Sequence, residues 1–310
     1  MTTVPVTPDD IDAAAARLTR YVRRTPSIEH DGVVLKLEFL QHTASFKPRG
    51  AFNRVLCADV PAAGVMAASG GNHGAALALV AARLGLPAEI FVPSSSPAAK
   101  IERIRSLGAR VVVGGDFYDD AQRACNERQR ETGALAVHPF DHVHTVAGAG
   151  TVGRELEQDA PDLDTVLVAV GGGGLCGGVA AWYAGRVKVV AVEPELLPTM
   201  HDALAAGEPT EITLQKSIAT DSLGARRIGA VPFAVARVYV ERAVLVSDDA
   251  IRSAQLHLWN ELRILSEPGG AAAFAALTSG AYQPERDERV GVILCGANLD
   301  PATVLGQETT

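Results

Sequence analysis

The sequence has 310 residues, of which 47% are hydrophobic and 21% are charged, and its formal net charge is -8 at pH 7. This length suits one large domain or two of ordinary size. The composition is that of a globular protein, with no uncharged run as long as the ~18 residues that a membrane span needs. An acidic balance without a cluster of Lys and Arg argues against a nucleic-acid partner.

The cysteines and the N-terminus bear on whether the protein has disulfides, a structural metal or a secretory signal. Cys57, Cys125, Cys176 and Cys295 show no CxxC spacing and no zinc-like pairing with histidines, which argues against a disulfide framework or a structural metal. The first ten residues lack a basic start followed by an apolar stretch, so we predict no secretory signal and expect a cytoplasmic protein. The expected partner is a small molecule.

The predicted elements alternate between strands and helices. A helix is predicted over residues 9–23, where apolar residues recur at helical spacing, and a strand over residues 33–38. Further strands are predicted at residues 64–68, 88–92, 110–113, 165–170, 188–192 and 289–295. Helices are predicted at residues 73–84, 98–107, 118–131, 175–184 and 248–265. This alternation is typical of parallel sheets flanked by helices, in which ligands bind beyond the carboxyl ends of the strands.

Lys47 stands at a predicted helix entrance in the segment Ala-Ser-Phe-Lys-Pro-Arg-Gly-Ala. Proline disfavours the α conformation in the residue before it and is tolerated at the first helical position. We therefore expect Lys47 to be extended and Pro48 to open the helix. The positive end of the helix dipole and partial burial would favour the uncharged amine, which suits Schiff-base formation. A surface lysine near a helix cap is the alternative interpretation.

A turn of small residues, Ser-Gly-Gly-Asn-His-Gly at residues 69–74, follows a predicted strand and precedes an alanine-rich helix. Small residues let a ligand approach the backbone, and the side chains of Ser69 and Asn72 offer hydrogen bonds. A tight turn in which Asn72 caps the helix is the alternative. We predict that His73 is a packed or capping histidine rather than a general base.

Two further turns follow predicted strands. Gly171, Gly172, Gly173 and Gly174 precede a helix, so their backbone N–H groups and the helix dipole can converge on an anion such as phosphate. The GK[ST] ending of a P-loop is absent, and nucleotide binding is not specified.

Cys295 ends the last predicted strand; it is either a small core residue or, at a cofactor edge, a hydrogen-bond partner for a ring nitrogen.

In combination, these segments resemble the serine/threonine dehydratase family, whose members are pyridoxal phosphate enzymes of fold type II. The segments that carry the resemblance are Ser-Phe-Lys-x-Arg-Gly-Ala, Ser-Gly-Gly-Asn-His-Gly, the four-glycine loop, Ser266-Glu267-Pro268-Gly269-Gly270 and Cys-Gly-x-Asn, with Lys36-Leu37-Glu38, Gly148 to Gly153 and Val192-Glu193-Pro194. The resemblance implies a two-domain α/β fold like that of tryptophan synthase β, each domain a mostly parallel twisted sheet flanked by helices. We expect a large cofactor-binding domain of residues 1–54 plus 141–310 and a small domain of residues 55–140.

The resemblance also implies roles for single residues. Lys47 would hold pyridoxal 5'-phosphate covalently and remove the substrate's α-proton, with Phe46 beside the ring and Asn72 on its phenolic oxygen. The phosphate would bind Gly171, Gly172, Gly173, Gly174 and the amide of Leu175, and Cys295 would face the pyridine nitrogen. A thiol is too weak an acid to keep that nitrogen protonated, which suits β-elimination over transamination. The substrate carboxylate would bind to the turn formed by Ser69, Gly70, Gly71, Asn72 and His73. Glu267 and Ser222 would lie beside the pocket.

The activity that this resemblance implies is the dehydration and deamination of L-serine and/or L-threonine to a 2-oxo acid and ammonia, in a homodimer. Two departures from the family pattern matter. Racemases of the family carry a serine where this chain has Gly70, so racemisation through this residue is not expected. Cation-binding members use a glutamate matching Glu193, a carbonyl near Leu197 and an aspartate where this chain has Thr199, so no strong metal site is predicted, although Glu193 remains a candidate ligand.

Other functions stay open at this point. A related lyase could act on 3-hydroxyaspartate or phenylserine, or catalyse β-replacement; Arg226 and Arg227 could reach a second carboxylate or form a solvated surface pair. A nicotinamide-dependent oxidoreductase would use Glu193, about 20 residues after the glycine loop, as its ribose ligand, but would leave Lys47 and Cys295 without a task. A binding protein without catalysis is disfavoured by the intact Lys47.

Overall fold

Ten strands form two sheets in the computed structural model, which describes residues 4–306. The strands are β1 (Ser27–His30), β2 (Val33–Lys36), β3 (Val65–Ala68), β4 (Ala88–Val92), β5 (Arg110–Val113), β6 (Leu135–Ala136), β7 (Thr165–Ala169), β8 (Lys188–Pro194), β9 (Val240–Val246) and β10 (Val290–Ile293). One sheet has the order β1-β2-β10-β7-β8-β9 and the other β5-β4-β3-β6. Every neighbouring pair is parallel except β1 with β2. The predicted α/β architecture with mostly parallel sheets is confirmed.

The helices flank both sheets. They are α1 (Pro8–Leu18), α2 (Lys47–Leu56), α3 (Asn72–Leu84), α4 (Ala98–Ser106), α5 (Tyr118–Thr132), α6 (Val143–Asp159), α7 (Gly174–Tyr183), α8 (Thr199–Ala206), α9 (Thr220–Leu223), α10 (Ala230–Tyr239), α11 (Asp248–Leu262), α12 (Pro268–Thr278) and α13 (Ala302–Leu305). Central strand β7 is buried at all five positions, as expected for a parallel sheet covered on both faces. None of the helices within residues 4–306 is long and apolar enough to cross a membrane.

Helix α6 lies between α2 and α7 at very short range. A Cβ on Gly148 would meet the Arg49 carbonyl oxygen of α2 at 2.5 Å, and one on Gly150 would meet the Gly178 carbonyl oxygen of α7 at 2.7 Å. Only glycine permits backbones to approach this closely. The Gly-Ala-Gly run of α6 therefore holds two helices in place: α2, which begins at Lys47, and α7, which follows the glycine loop.

The start of α2 corrects one expectation. The helix begins at Lys47 rather than at Pro48, and Phe46 before it already has helical angles (φ -61°, ψ -18°). The helix starts early because the backbone on its N-terminal side is anchored to the end of β10: the Phe46 N–H donates to the Cys295 carbonyl. Proline tolerates this geometry in the first turn, where its missing N–H has no intrahelical partner to lose.

The sheets agree with the expected division of the chain, which stays a prediction. The four-stranded sheet is built from residues 65–136 and the six-stranded sheet from residues 27–36 and 165–293. The predicted boundary after residue 54 falls inside α2. Strands β1, β6 and β9 and helices α6, α8, α9, α10, α12 and α13 were not predicted. Strands β1 and β6 are short, β9 carries exposed charged residues at a sheet edge, and the glycines of α6 weaken its helical pattern.

Candidate active site

A cavity opens at the carboxyl ends of β7 and β10. The two strands are hydrogen-bonded neighbours, with Val292 paired to Leu167, so the segments that follow them emerge side by side. The lining residues are Phe46, Lys47, Asn72, Phe140, Ala169, Gly171, Gly172, Gly173, Gly174, Leu175, Ser222, Leu223, Glu267, Gly269 and Cys295. Segments that are more than 200 positions apart in the chain therefore line the same cavity.

Lys47 extends into this cavity from the first turn of α2. Its Nζ donates to the Pro139 carbonyl at 3.2 Å and lies 4.9 Å from the centre of the Phe46 ring. Desolvation lowers the pKa of Lys47 to about 8, although the nearby Cys295 and Glu267 act in the opposite direction. A minor but far larger fraction of the amine than in an ordinary lysine is therefore uncharged near neutral pH, which makes Lys47 a candidate nucleophile and base.

The glycine loop forms a cradle at the N-terminus of α7. Gly173 has φ +86°, and a Cβ on Gly172 would lie 2.3 Å from the Phe140 ring. The first intrahelical bond at this end runs from the Gly177 N–H to the Gly173 carbonyl, so the preceding N–H groups are available to a ligand. A ten-residue helix with such a terminus is suited to an anion.

Cys295 faces the cavity from the segment after β10. Its thiol donates to the Gly269 carbonyl over an S···O distance of 3.4 Å, and burial raises its pKa to about 12. The group is therefore a neutral thiol at physiological pH rather than a thiolate nucleophile.

Asn72, Glu267 and Asn298 form a hydrogen-bonded chain beside the lysine. Asn72 Nδ2 donates to Glu267 Oε1 at 2.7 Å, and Asn298 Nδ2 donates to Asn72 Oδ1. Burial raises the pKa of Glu267 to about 7, although the Asn72 hydrogen bond and the charge of Lys100 act against it. The amide of Asn72 is thereby held in one orientation at the cavity wall.

The turn at residues 69–73 is divided between two cavities. Gly70, Gly71 and Asn72 line an adjoining cavity together with Ala75, Lys100, Arg103, Ile104, Asp221, Glu267 and Asn298. Ser69 lines neither cavity; its hydroxyl accepts from the Gly71 N–H at 3.3 Å. His73 is turned away, with Nε2 2.7 Å from the Val137 carbonyl oxygen, and burial lowers its pKa to about 3. The structure thus shows His73 as a packed, neutral side chain.

Charged side chains close the adjoining cavity. Lys100 on α4 forms an ion pair with Asp221, and Arg103 donates to Asn298. Arg226 and Arg227 are exposed, and Arg226 lies 3.4 Å from Asp119. The surface interpretation of the two adjacent arginines therefore fits the structure, and Lys100 and Arg103 are the cations near the turn.

Glu193 is fully buried under the glycine loop. Its carboxylate accepts from the Met200 N–H at 2.7 Å and the His201 N–H at 2.8 Å, and it contacts the Thr199 hydroxyl at 2.9 Å. The same hydroxyl donates to the Gly171 carbonyl at 2.6 Å. Burial raises the pKa of Glu193 to about 7, so a protonated Glu193 can donate to Thr199 while Thr199 donates to the loop. These bonds satisfy both carboxylate oxygens and give a metal role no support.

Arg49 supports the site from behind and was not assigned a role from the sequence. Its guanidinium binds both oxygens of Glu38 (2.5 and 3.1 Å) and both of Glu155 (2.8 Å each) and donates to Thr151. Arg49 and Glu38 are almost fully buried. Burial lowers the pKa of Arg49, but the two carboxylates outweigh this and raise it overall. The network fixes α2, and with it Lys47, to the segment that follows β2 and to α6.

Three further residues that line the cavities could not be assigned to the site from the sequence. Phe140 follows an unremarkable loop, and only the tertiary structure places its ring against the glycine cradle. Asn298 belongs to the Cys-Gly-x-Asn segment, which was noted without a role for the asparagine. Lys100 begins a helix whose pattern is that of a surface segment, so nothing local distinguishes it.

Comparisons with known proteins agree with this geometry. The family described as "Pyridoxal-phosphate dependent enzyme" matches residues 17–296. Among curated proteins, the chain is 38% identical to phenylserine dehydratase of Ralstonia pickettii, over 97% of this chain and 96% of that protein. It is 35% identical to L-threonine ammonia-lyase of Thermotoga maritima, over 95% of this chain and 76% of that protein. Among solved structures, maize serine racemase superposes with a TM-score of 0.89 at 32% identity, covering 97% of this chain and 96% of the other.

Proposed function

The chain belongs to the family of pyridoxal-phosphate dependent enzymes, and from this premise we propose that it is an ammonia-lyase that converts L-serine and/or L-threonine to the 2-oxo acid and ammonia. Its fold is that of the fold type II enzymes, and its cofactor is pyridoxal phosphate. The observation that carries the proposal is one cavity holding a partly buried lysine of lowered pKa, an anion cradle and a neutral thiol.

The residues present fit this cofactor. Only glycine allows the loop to pack as it does at Gly172 and Gly173: a Cβ on Gly173 would lie 2.8 Å from Ile228, and the backbone N–H groups are thereby left to face a phosphate. The uncharged amine of Lys47 can react with an aldehyde, and the thiol of Cys295 can bond a ring nitrogen without protonating it. Asn72, oriented by Glu267, can donate to the ring hydroxyl. These assignments are our proposal for the holoenzyme.

When bound, the cofactor supplies the electron sink that makes the substrate's Cα–H bond acidic. Lys47 accepts the α-proton at Nζ, because the packed residues around the amine keep it partly uncharged at neutral pH. The N–H groups at the start of α3 bind the substrate carboxylate, since the first helical donors have no intrahelical partner. The β-hydroxyl leaves as water, and the α-proton held at Nζ balances the proton that leaves with it. One water molecule then adds to the α-carbon as the nitrogen departs as ammonia.

Gly70 favours elimination over racemisation. A racemase needs an acid or base on the face opposite the lysine, and glycine offers no side chain at this point of the turn. A Cβ at Gly70 would also lie 2.9 Å from the Ser96 hydroxyl oxygen, so a serine there would require Ser96 to move. Lys47 is therefore the base that we assign to the reaction, although some relatives are named serine racemase.

The test of the proposed function is a parallel assay of five substrates with the purified holoenzyme. L-Serine, L-threonine, D-serine, 3-hydroxyaspartate and phenylserine are incubated separately, and 2-oxo acid and ammonia are both measured. We expect L-serine and/or L-threonine to give the highest kcat/KM, because Lys100 is paired with Asp221 and Arg103 with Asn298 in the cavity beside the turn, so neither cation is left for a second substrate carboxylate. A highest kcat/KM for 3-hydroxyaspartate would contradict this expectation. A highest kcat/KM for phenylserine would show instead that the chain has the substrate named for its relative phenylserine dehydratase. The absence of product from all five would refute the dehydratase activity.

A pH experiment tests the state of Lys47. Because a lysine is uncharged above its pKa, the rate at which apoenzyme captures added pyridoxal phosphate should rise with pH and level off above about 8, rather than continue to rise towards the ordinary lysine value of ~10.4. Stopped-flow absorbance of the cofactor measures this rate. A rate that still rises steeply above pH 9.5 would show that the amine is not desolvated.

The assembly, location and domain division are also proposals. We propose a cytoplasmic homodimer acting on a small amino acid, with a large domain of residues 1–54 plus 141–310 and a small domain of residues 55–140. The two sheets support the division, since they draw on separate parts of the chain. Sedimentation equilibrium of the holoenzyme tests the dimer.

A further inference from the structure

Three metal-ligating side chains meet at the edge of the six-stranded sheet, outside the two cavities. His30 ends β1, Asp31 stands in the turn to β2, and His257 lies on α11. Nε2 of His30 lies 3.4 Å from Nε2 of His257 and 3.6 Å from Oδ2 of Asp31. The three ligand atoms all lie within 4.8 Å of one another.

We propose that His30, Asp31 and His257 bind one Zn²⁺ ion. Two nitrogen ligands at Zn–N distances of ~2.0–2.1 Å and a tetrahedral angle are about 3.3–3.4 Å apart, which is the separation of the two Nε2 atoms. It is longer than the ~2.7–3.2 Å of an ordinary N–H hydrogen bond. The histidine pair therefore has the spacing of two ligands around a common ion.

The ligand set selects the class of metal. Imidazole nitrogens suit zinc and its neighbours among the late first-row metals, whereas magnesium and calcium prefer oxygen ligands. Asp31 adds one carboxylate oxygen, and a water molecule completes the tetrahedron. Three protein ligands in all can hold a zinc ion.

The fold holds these groups in place before any ion binds. Asp31 and Gly32 both have positive φ angles, +49° and +76°, as in the type I' turn of a two-residue hairpin. The His257 ring packs edge-on against Phe274, with centroids 5.3 Å apart, and His30 packs edge-on against His257 at 5.7 Å. Both imidazoles are thus oriented by packing.

Solvent reaches the cluster through its carboxylate. The Asp31 side chain is 81% exposed and that of His30 16% exposed, so an ion can enter from the Asp31 side and the carboxylate can rotate to meet it. The bound ion would clamp the β1–β2 hairpin to α11. Because none of the three residues lines the active-site cavity, this site is independent of the proposed function.

The test is equilibrium dialysis of the holoenzyme against Zn²⁺, with metal counted per chain, together with the thermal midpoint. We expect one ion per chain and a Tm that rises by a few degrees at free zinc ~100-fold above Kd. His257→Ala and Asp31→Asn should each weaken binding by about 10-fold or more and reduce the Tm rise. Asparagine tolerates positive φ, so Asp31→Asn removes the carboxylate and keeps the turn.

His201→Ala is the matched control, because His201 is an exposed histidine beside a carboxylate, 3.0 Å from Asp202, without a second histidine in the pair. It should bind zinc as the unmodified protein does. Unchanged zinc affinity in both His257→Ala and Asp31→Asn, or equal loss in His201→Ala, would overturn the proposal. A protein that binds no zinc would leave the cluster as a histidine–histidine contact and would also overturn it.

Discussion

Lys47→Ala is expected to remove covalently held cofactor and to lower turnover by at least ~10²–10⁴-fold, the range that a positioned base contributes. Among residues 4–306, Lys47 is the one lysine that lines the active-site cavity, so no other described lysine replaces the lost amine there. The absorption band of the bound cofactor should be absent from the variant. Borohydride treatment of the unmodified holoenzyme, followed by peptide mass mapping, should place the reduced cofactor on Lys47.

Lys188→Ala is the control for this substitution. Lys188 is the first residue of β8, and its half-exposed side chain lies 3.8 Å from that of Glu288. It should retain the band and the activity. Mapping of the cofactor to Lys100, the lysine of the adjoining cavity, would reject the role of Lys47. A Lys47→Ala protein that keeps a borohydride-sensitive band would have the same meaning.

Arg49→Met is expected to reduce the free energy of unfolding by ~3–5 kcal/mol, the usual cost of breaking a buried ion pair by removing one partner. The substitution leaves Glu38 buried with only the Thr25 hydroxyl, which donates to it at 2.7 Å. Urea denaturation measures the change. Because α2 carries both Arg49 and Lys47, cofactor affinity should fall with stability.

Two further variants separate charge from packing at Arg49. Glu38→Gln in the Arg49→Met background should recover part of the loss, because it removes the unpaired buried charge. Arg110→Ala, which removes a 69% exposed partner of Glu89, should cost less than ~1 kcal/mol. A loss below ~1 kcal/mol for Arg49→Met would contradict the buried network.

The fold was predictable because it depends on local patterns, and the cofactor was predictable because several motifs in order resemble one enzyme family. Buried parallel strands leave runs of Val and Ile, and the turns that follow them leave glycines, as at Gly171 to Gly174. Lys47, Asn72 and Cys295 each follow such a pattern, and the structure brings the three into one cavity. The exact start of α2 was wrong by one residue, because a hydrogen bond from Phe46 to Cys295, 249 positions along the chain, extends the helix.

By itself the sequence determined the α/β class, since glycine, proline and apolar periodicity act on the backbone within a few residues. Its ordered motifs indicated the family and the cofactor through their resemblance to known enzymes. The tertiary structure alone decided which side chains support the active site: Arg49 with Glu38 and Glu155, and Thr199 between Glu193 and the glycine loop. It alone also brought His30 to His257, outside that site. The last two partners are 227 positions apart. Such pairs depend on strand register and helix packing, which no short segment encodes.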